Sequence, residues 1–188
     1  LPDEPALPFQ AHILFEDEHL LVADKPHFMP VTPSGRYVQQ SLLVQLKRLT
    51  GCADLVPLHR IDRETAGLVL LGKRLPDRDA YHALFRDKDI HKTYHAVAAA
   101  PTKSLPALYA SRLVPGEPFF RTKEVAGPAN SETRIRVLKT QGERALYQLE
   151  PVTGKRHQLR VHMNALGMPI EGDLFYPTVL RGPDAPED

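Results

Sequence analysis

Three stretches of the chain combine residue types that could do chemistry. In "LHRIDRETAGLVLLGK", residues 58–73, Asp62 lies between Arg60 and Arg63, with His59 just ahead and an apolar run from Leu68 to Leu71 just behind. An acid leading into a buried strand sits at the wall of a core, where it has to be paired; the plainer alternative is a surface turn with solvated charges. In "KTYHAV" a single aromatic, Tyr94, interrupts a strand of small apolar residues. Its ring either fills a core or offers a face and a hydroxyl to a pocket. In "PVTGKRHQLRVHMNALGMPIEGD", Lys155, Arg156, His157 and Arg160 crowd the first turn and a half of a predicted helix. Cations there oppose the helix dipole at a cost of a few tenths to about 1 kcal/mol each. That placement suits an anion at the helix start, either a phosphate or the carboxylate of Asp62, although exposed helices tolerate such charges cheaply.

Other chemistries lack their parts. The chain has neither of the glycine-rich loops that cradle phosphates, no HExxH and no GxSxG. His91 and His95 are four apart on a predicted strand, which separates them by roughly 13 Å, and His157 and His162 diverge on a helix, so no metal site is expected. The single cysteine, Cys52, has no local base and no partner for a disulfide. "HRID" has a superficial likeness to the kinase catalytic loop, but Ile61 separates Arg60 from Asp62 and the matching Asn is missing. A glycosidase needs paired carboxylates, and Glu64, the nearest second acid, points elsewhere on the turn.

The elements that must position these residues are legible as pattern. "HILFEDEHLLVADKP" predicts two strands, 12–16 and 20–25, around an acidic turn and stopped by Pro26. Leu42, Leu43, Leu46 and Leu49 share one helix face, with Ser41 as cap and Gly51 as stop. A buried strand is expected over 66–72, a second amphipathic helix over 77–85, and a strand in "KTYHAVAAA" ended by Pro101. Residues 113–131 predict a loop or hairpin excursion. "ETRIRVLKT" and "RALYQLEPV" alternate as two antiparallel strands about "QGE". The third helix is expected to begin after Thr153 and Gly154 and to end at Gly167. Strands and helices mix without a βαβα rhythm, so the expected class is α+β with a largely antiparallel sheet flanked by helices. The expected organisation is an irregular arm (1–10), a single domain (11–180) that holds all three stretches, and a loose acidic tail (181–188).

Apolar content of 42% and charged content of 25% fit a globular protein, and no apolar run reaches the roughly 18 residues of a membrane span. The acidic, Pro-rich first residues do not read as a secretory signal, and with a single cysteine the expected location is cytoplasmic. The first residue is Leu, so a segment ahead of it is expected. Net charge is +1, yet residues 1–24 hold six acids and no Lys or Arg, and residues 182–188 hold three acids and no base. All 24 bases lie between, against 14 of the 23 acids. A basic body with acidic ends is compatible with a surface that tracks phosphates.

The three stretches, in this order, resemble the signatures of the RluA family of pseudouridine synthases. "HRIDRETAGLVLL", "KTY" and "TGKRHQLRVHMNALGMPIEGDLFY" follow that family's pattern, and "ILFEDEHLLVADKP" is similar to its entry strand pair. The likeness spans about residues 13 to 177. Ala66 stands where Ser is usual, Lys155 where Arg is usual and Met168 where His is common; none removes a charge the chemistry needs. The S4-like RNA-binding domain of many relatives is not among these residues.

The resemblance implies the family's catalytic fold with a central basic cleft, and isomerisation of uridine to pseudouridine in RNA, in a stem-loop of ribosomal or transfer RNA. It implies Asp62 as the catalytic carboxylate, attacking C1′, adding to C6 or assisting a glycal route. Arg160 would pair with it and favour its ionised form. Tyr94 would hold the detached uracil by its ring face while it turns, its hydroxyl being a candidate for removing the C5 proton. Ile61 or Leu159 would form the opposite apolar wall. The target must be flipped out of its stack at a cost of a few kcal/mol; Arg60 would fill the gap. His59, Arg63, Lys92, Lys155 and Arg156 complete the RNA-facing set, His59 by supporting the loop, with Lys25 and Arg36 extending the phosphate track. The reaction is redox-neutral and needs no cofactor or metal. A monomer is expected. The alternative is a non-catalytic RNA-binding module on the same fold.

Overall fold

Alternation decides the first sheet. In a computed structural model, which describes residues 4–183, β1 (His12–Glu16) and β2 (Leu20–Lys25) form an antiparallel hairpin. The Asp17 carboxylate closes it by accepting from the backbone N–H groups of His19 and Leu20 at 2.8 and 2.7 Å. β3 (Val56–Pro57) and β4 (Gly67–Gly72) complete a four-stranded antiparallel sheet in the order β1-β2-β4-β3. Its inward residues Leu21, Ala23, Val69 and Leu71 pack with Leu42 and Leu46 of α1 (Leu42–Thr50). Ser41 caps that helix by accepting from Val44 N–H, and Gly51, at φ 68°, ends it in the left-handed conformation that glycine adopts without penalty. α2 (Arg78–Arg86) follows a short 3-10 turn, Leu75–Asp77, one residue later than the pattern predicts.

The described residues divide into two compact units between Ile90 and His91, where the sequence predicts a single domain. The second unit is built on a five-stranded antiparallel sheet in the order β5-β9-β8-β6-β7. Its strands are β5 (Tyr94–Ala99), β6 (Leu108–Pro115), β7 (Thr122–Val125), β8 (Ser131–Gln141) and β9 (Arg144–Pro151). The excursion over 113–131 is therefore a real hairpin, β6–β7. Ala96, Ala98, Ile135, Ala145, Tyr147 and Leu149 form its core together with Met163 of α3 (Gln158–Ala165).

Within the expected arm, described residues 4–10 form no helix or strand and are tied down. The Glu4 carboxylate accepts from the N–H groups of Val38, Gln39 and Gln40 at 2.7–2.9 Å, and Leu7 packs on the first core. The tail expected over 181–188 lies mostly outside the described residues. Among the described residues no helix is long and apolar enough to cross a membrane.

Candidate active site

The candidate residues fall into two sets, one in each unit. In the first unit, β4 carries the segment that precedes it. Leu58 N–H donates to Leu70 C=O, and Leu70 N–H donates back to His59 Nε2 at 3.0 Å. The His59 ring stacks on Phe85 of α2 at 4.8 Å. His59 thus supports the loop, and Nε2, acting as acceptor, carries no proton. Ile61 packs against the first core, which fixes the backbone one residue before Asp62. Asp62 is half-buried and opens a tight turn closed by Thr65 N–H on its carbonyl at 3.0 Å. Arg60 is exposed. Arg63 is not equally free for phosphate: its side chain is 12% exposed, lies 3.5 Å from Glu64 and covers the buried Tyr37 ring at 5.7 Å.

Beneath this turn lies Lys25, and here the sequence expectation fails. Read as part of a phosphate track, Lys25 is 0% exposed. The strand alternation that buries Leu21 and Ala23 also turns residue 25 inward. Its Nζ donates to the carbonyls of Pro26 (3.0 Å), Met29 (2.7 Å) and Arg63 (3.1 Å), one acceptor for each ammonium hydrogen. Burial pulls its pKa down to about 8, against the opposing pull of the Glu64 and Asp62 carboxylates. Phe28 N–H also donates to Arg63 C=O at 2.7 Å, and His27 Nδ1 meets Glu64 C=O at 2.7 Å. The acidic turn is therefore fastened from below through its own carbonyls.

In the second unit Tyr94 opens β5 opposite Leu149. It and Leu159 are half-buried against the second core. Lys92, two residues earlier, is half-buried, and desolvation lowers its pKa. α3 begins one turn later than predicted. His157 precedes it without a side-chain cap, and the Gln158 side chain ties the helix start to its surroundings: its amide oxygen accepts from Thr153 Oγ1 and Lys155 N–H, and its nitrogen donates to Glu132 C=O and Thr133 Oγ1. Lys155, Arg156 and His157 therefore precede the helix, and the expected clash with its dipole falls on Arg160 alone.

Arg160 has an anion of its own, one the sequence reading did not assign. Asp173 binds it bidentately, Nε to Oδ2 and Nη2 to Oδ1, both at 2.8 Å, with the two side chains 7% and 3% exposed. The rings of Phe175 and Tyr176 lie 4.8 and 5.4 Å from the guanidinium carbon. Asp173 Oδ1 also accepts from Phe175 N–H and Tyr176 N–H. Fork geometry and four aligned donors make this a rigid mount. The signal was the closing "IEGD": a left-handed turn at Gly172 (φ 80°) brings the chain back to α3. Farther along α3, the fully buried His162 links three hydroxyls, with Nε2 at 3.1 and 2.9 Å from Ser111 and Ser131 and Nδ1 at 2.8 Å from Thr133. Among the described residues no three of His, Cys, Asp and Glu gather as metal ligands would.

The profile of the family described as RNA pseudouridylate synthase matches residues 19–165, a span that contains both sets. The chain belongs to the RNA pseudouridylate synthase family. It is 34% identical over 180 residues to an uncharacterised RNA pseudouridine synthase of Synechocystis sp., covering 92% of this chain and 60% of the relative. It is 32% identical to the dual-specificity RNA pseudouridine synthase RluA of Vibrio cholerae, covering 87% and 67%. Relatives of this kind set it with the RluA-type members of the family. The solved structure of human RNA pseudouridylate synthase domain containing 4 superposes with a TM-score of 0.69 at 30% identity, over 87% of this chain and 68% of that one. The chain spans from about a third to two thirds of the length of the curated relatives it matches. Family members share the α+β architecture with antiparallel sheets seen here.

Proposed function

We propose that this protein is an RNA pseudouridine synthase, an isomerase that converts uridines of structured ribosomal or transfer RNA to pseudouridine. One observation carries the reading: the family match from 19 to 165 spans Asp62, Tyr94 and Arg160, the three residues to which the resemblance to the RluA signatures assigns the chemistry. Asp62 supplies the carboxylate that acts on the sugar or the base. Arg160, held by Asp173, supplies a fixed positive charge that favours the ionised acid. Tyr94 gives the detached uracil a flat face on which to turn. Ile61 and Leu159 supply apolar wall. Arg60, Lys92, Lys155 and Arg156 meet the RNA backbone and the flipped-out nucleotide's vacancy, while His59 and Arg63 hold the loop that presents Asp62. Two relatives named for ribosomal large subunit and tRNA uridines support those two substrate classes, and a single cysteine suits a reducing cytoplasm.

The reaction releases the C5 hydrogen of each converted uridine, so tritium release from RNA labelled at uridine C5 measures it. Wild type is expected to release tritium and Asp62→Asn, isosteric but uncharged, to release none above background. Equal release by both would remove Asp62 from the chemistry.

A further inference from the structure

The β6–β7 turn holds an aromatic ring in water. Phe119 is 80% exposed, the most exposed of the large apolar side chains among the described residues. Its support is rigid. Gly116 N–H donates to Arg121 C=O at 2.9 Å and Arg121 N–H to Pro118 C=O at 2.8 Å. A Cβ on Gly116 would lie 3.3 Å from the backbone of Arg121 and Thr122, so the missing side chain lets the two arms close. Phe120 turns inward and packs on Phe175 at 4.8 Å, while Phe119 meets it edge-on at 5.6 Å. Arg121 donates to Pro177 C=O and covers Tyr176 at 4.8 Å. Arg156 Nη1 donates to the carbonyl of Phe119 itself at 3.3 Å.

A Phe left in water forgoes roughly 1.5–3 kcal/mol of burial, and a mobile loop would fold the ring away. Here one phenylalanine anchors the turn so that its neighbour is displayed. The surroundings select what covers the ring. Arg121, Lys123, Lys155 and exposed Arg156 lie on the turn and on the segment it touches; of the acids on the hairpin, Glu117 stands alone and Glu124 accepts from Tyr109 OH. A flat partner that carries negative charge fits that setting, and a nucleobase with its phosphate is one. We propose that Phe119 is a stacking platform for an unpaired base of the RNA flanking the target, with Arg156 and Lys155 on its phosphates. The inference rests on the RNA-modifying reading and extends it to a residue outside the family signatures.

The chain contains no tryptophan, so Phe119→Trp introduces a unique fluorophore. Its emission is expected to be quenched by a short oligouridylate and unchanged by a ribose-phosphate strand of the same length without bases. In anisotropy titrations with the labelled oligouridylate, Phe119→Ala is expected to bind about 5- to 100-fold more weakly than wild type, and Phe119→Tyr within about twofold. Thermal melts of all three variants are expected to match wild type, because the side chain is in water. Three results overturn the inference alone: Phe119→Ala binding like wild type, equal quenching by the base-free strand, or self-association in sedimentation that Phe119→Ala abolishes with RNA binding unchanged. Failure of wild type to bind either the oligouridylate or bulk tRNA at low salt would instead overturn the RNA reading itself.

Discussion

At the scale of single residues, each of the two candidate sets includes a charge that proteins usually keep in water. Lys25 and Arg160 are both buried: the three ammonium hydrogens of Lys25 meet three carbonyls, and two guanidinium N–H groups of Arg160 meet the Asp173 carboxylate fork. Such groups stabilise only while the match is complete. Lys25→Met keeps the volume and removes the donors, leaving the carbonyls of Pro26, Met29 and Arg63 without them. Relief of the buried charge offsets part of the loss, so the expected cost is about 2–4 kcal/mol, read as a lower midpoint in urea denaturation. Because Arg63 C=O belongs to the turn that Asp62 opens, tritium release is expected to fall as well at temperatures where the variant remains folded. Unchanged stability would show that the three bonds contribute nothing net. No sequence pattern distinguishes this lysine from a surface one; only the β2 alternation, Leu21 and Ala23 inward and then residue 25, carries the hint.

At the scale of elements, α3 is held by a histidine that must stay neutral. Burial lowers the His162 pKa to about 4, with a weak opposing pull from Glu124; Ser111, Ser131, Thr133 and the edge-on Tyr109 ring are the groups that face it. An unfolded histidine titrates near 6.5. Between the two values the unfolded chain binds the extra proton, so stability falls as pH drops from about 6.5 toward 4 and is fully present above that window. Denaturant unfolding of wild type and His162→Gln across this range is expected to show an advantage of wild type on the order of 1–3 kcal/mol at pH 7 that shrinks with acid; a constant difference would refute the linkage. The elements themselves show what pattern can and cannot reveal. Strands β1, β2, β8 and β9 were readable within a residue or two because alternation and turn residues are local. The start of α3 was not, because it is set by tertiary bonds from the Gln158 side chain to β8, and His157 takes φ 55° to enter it. Of the candidate residues, Asp62, Tyr94 and Arg160 stand out in the sequence by motif, while the partner of Arg160, Asp173, and the burial of Lys25 emerged only from the fold, since both are tertiary contacts.

At the scale of the whole molecule, the uneven charge matters more than its near-zero sum. The bases lie between residues 25 and 181 and the ends are acidic, so a net charge of +1 understates the attraction that RNA would meet. Phosphate contacts release counterions, and the affinity for a single strand falls with salt at a logarithmic slope of about −0.7 per contact. Lys155 and Arg156 are both exposed and precede α3. The pair Lys155→Ala with Arg156→Ala is therefore expected to weaken binding of the labelled oligouridylate at low salt and to make the slope shallower by about 1.4. The difference from wild type should shrink as salt rises. Phe119→Ala should instead weaken binding with the slope preserved, because stacking releases no ions. Titrations at several salt concentrations separate the two: parallel lines for the aromatic variant and converging lines for the basic pair. Parallel lines for the basic pair would mean that these two cations do not touch phosphate, and that the grip on RNA comes from other charges in the basic stretch of the chain.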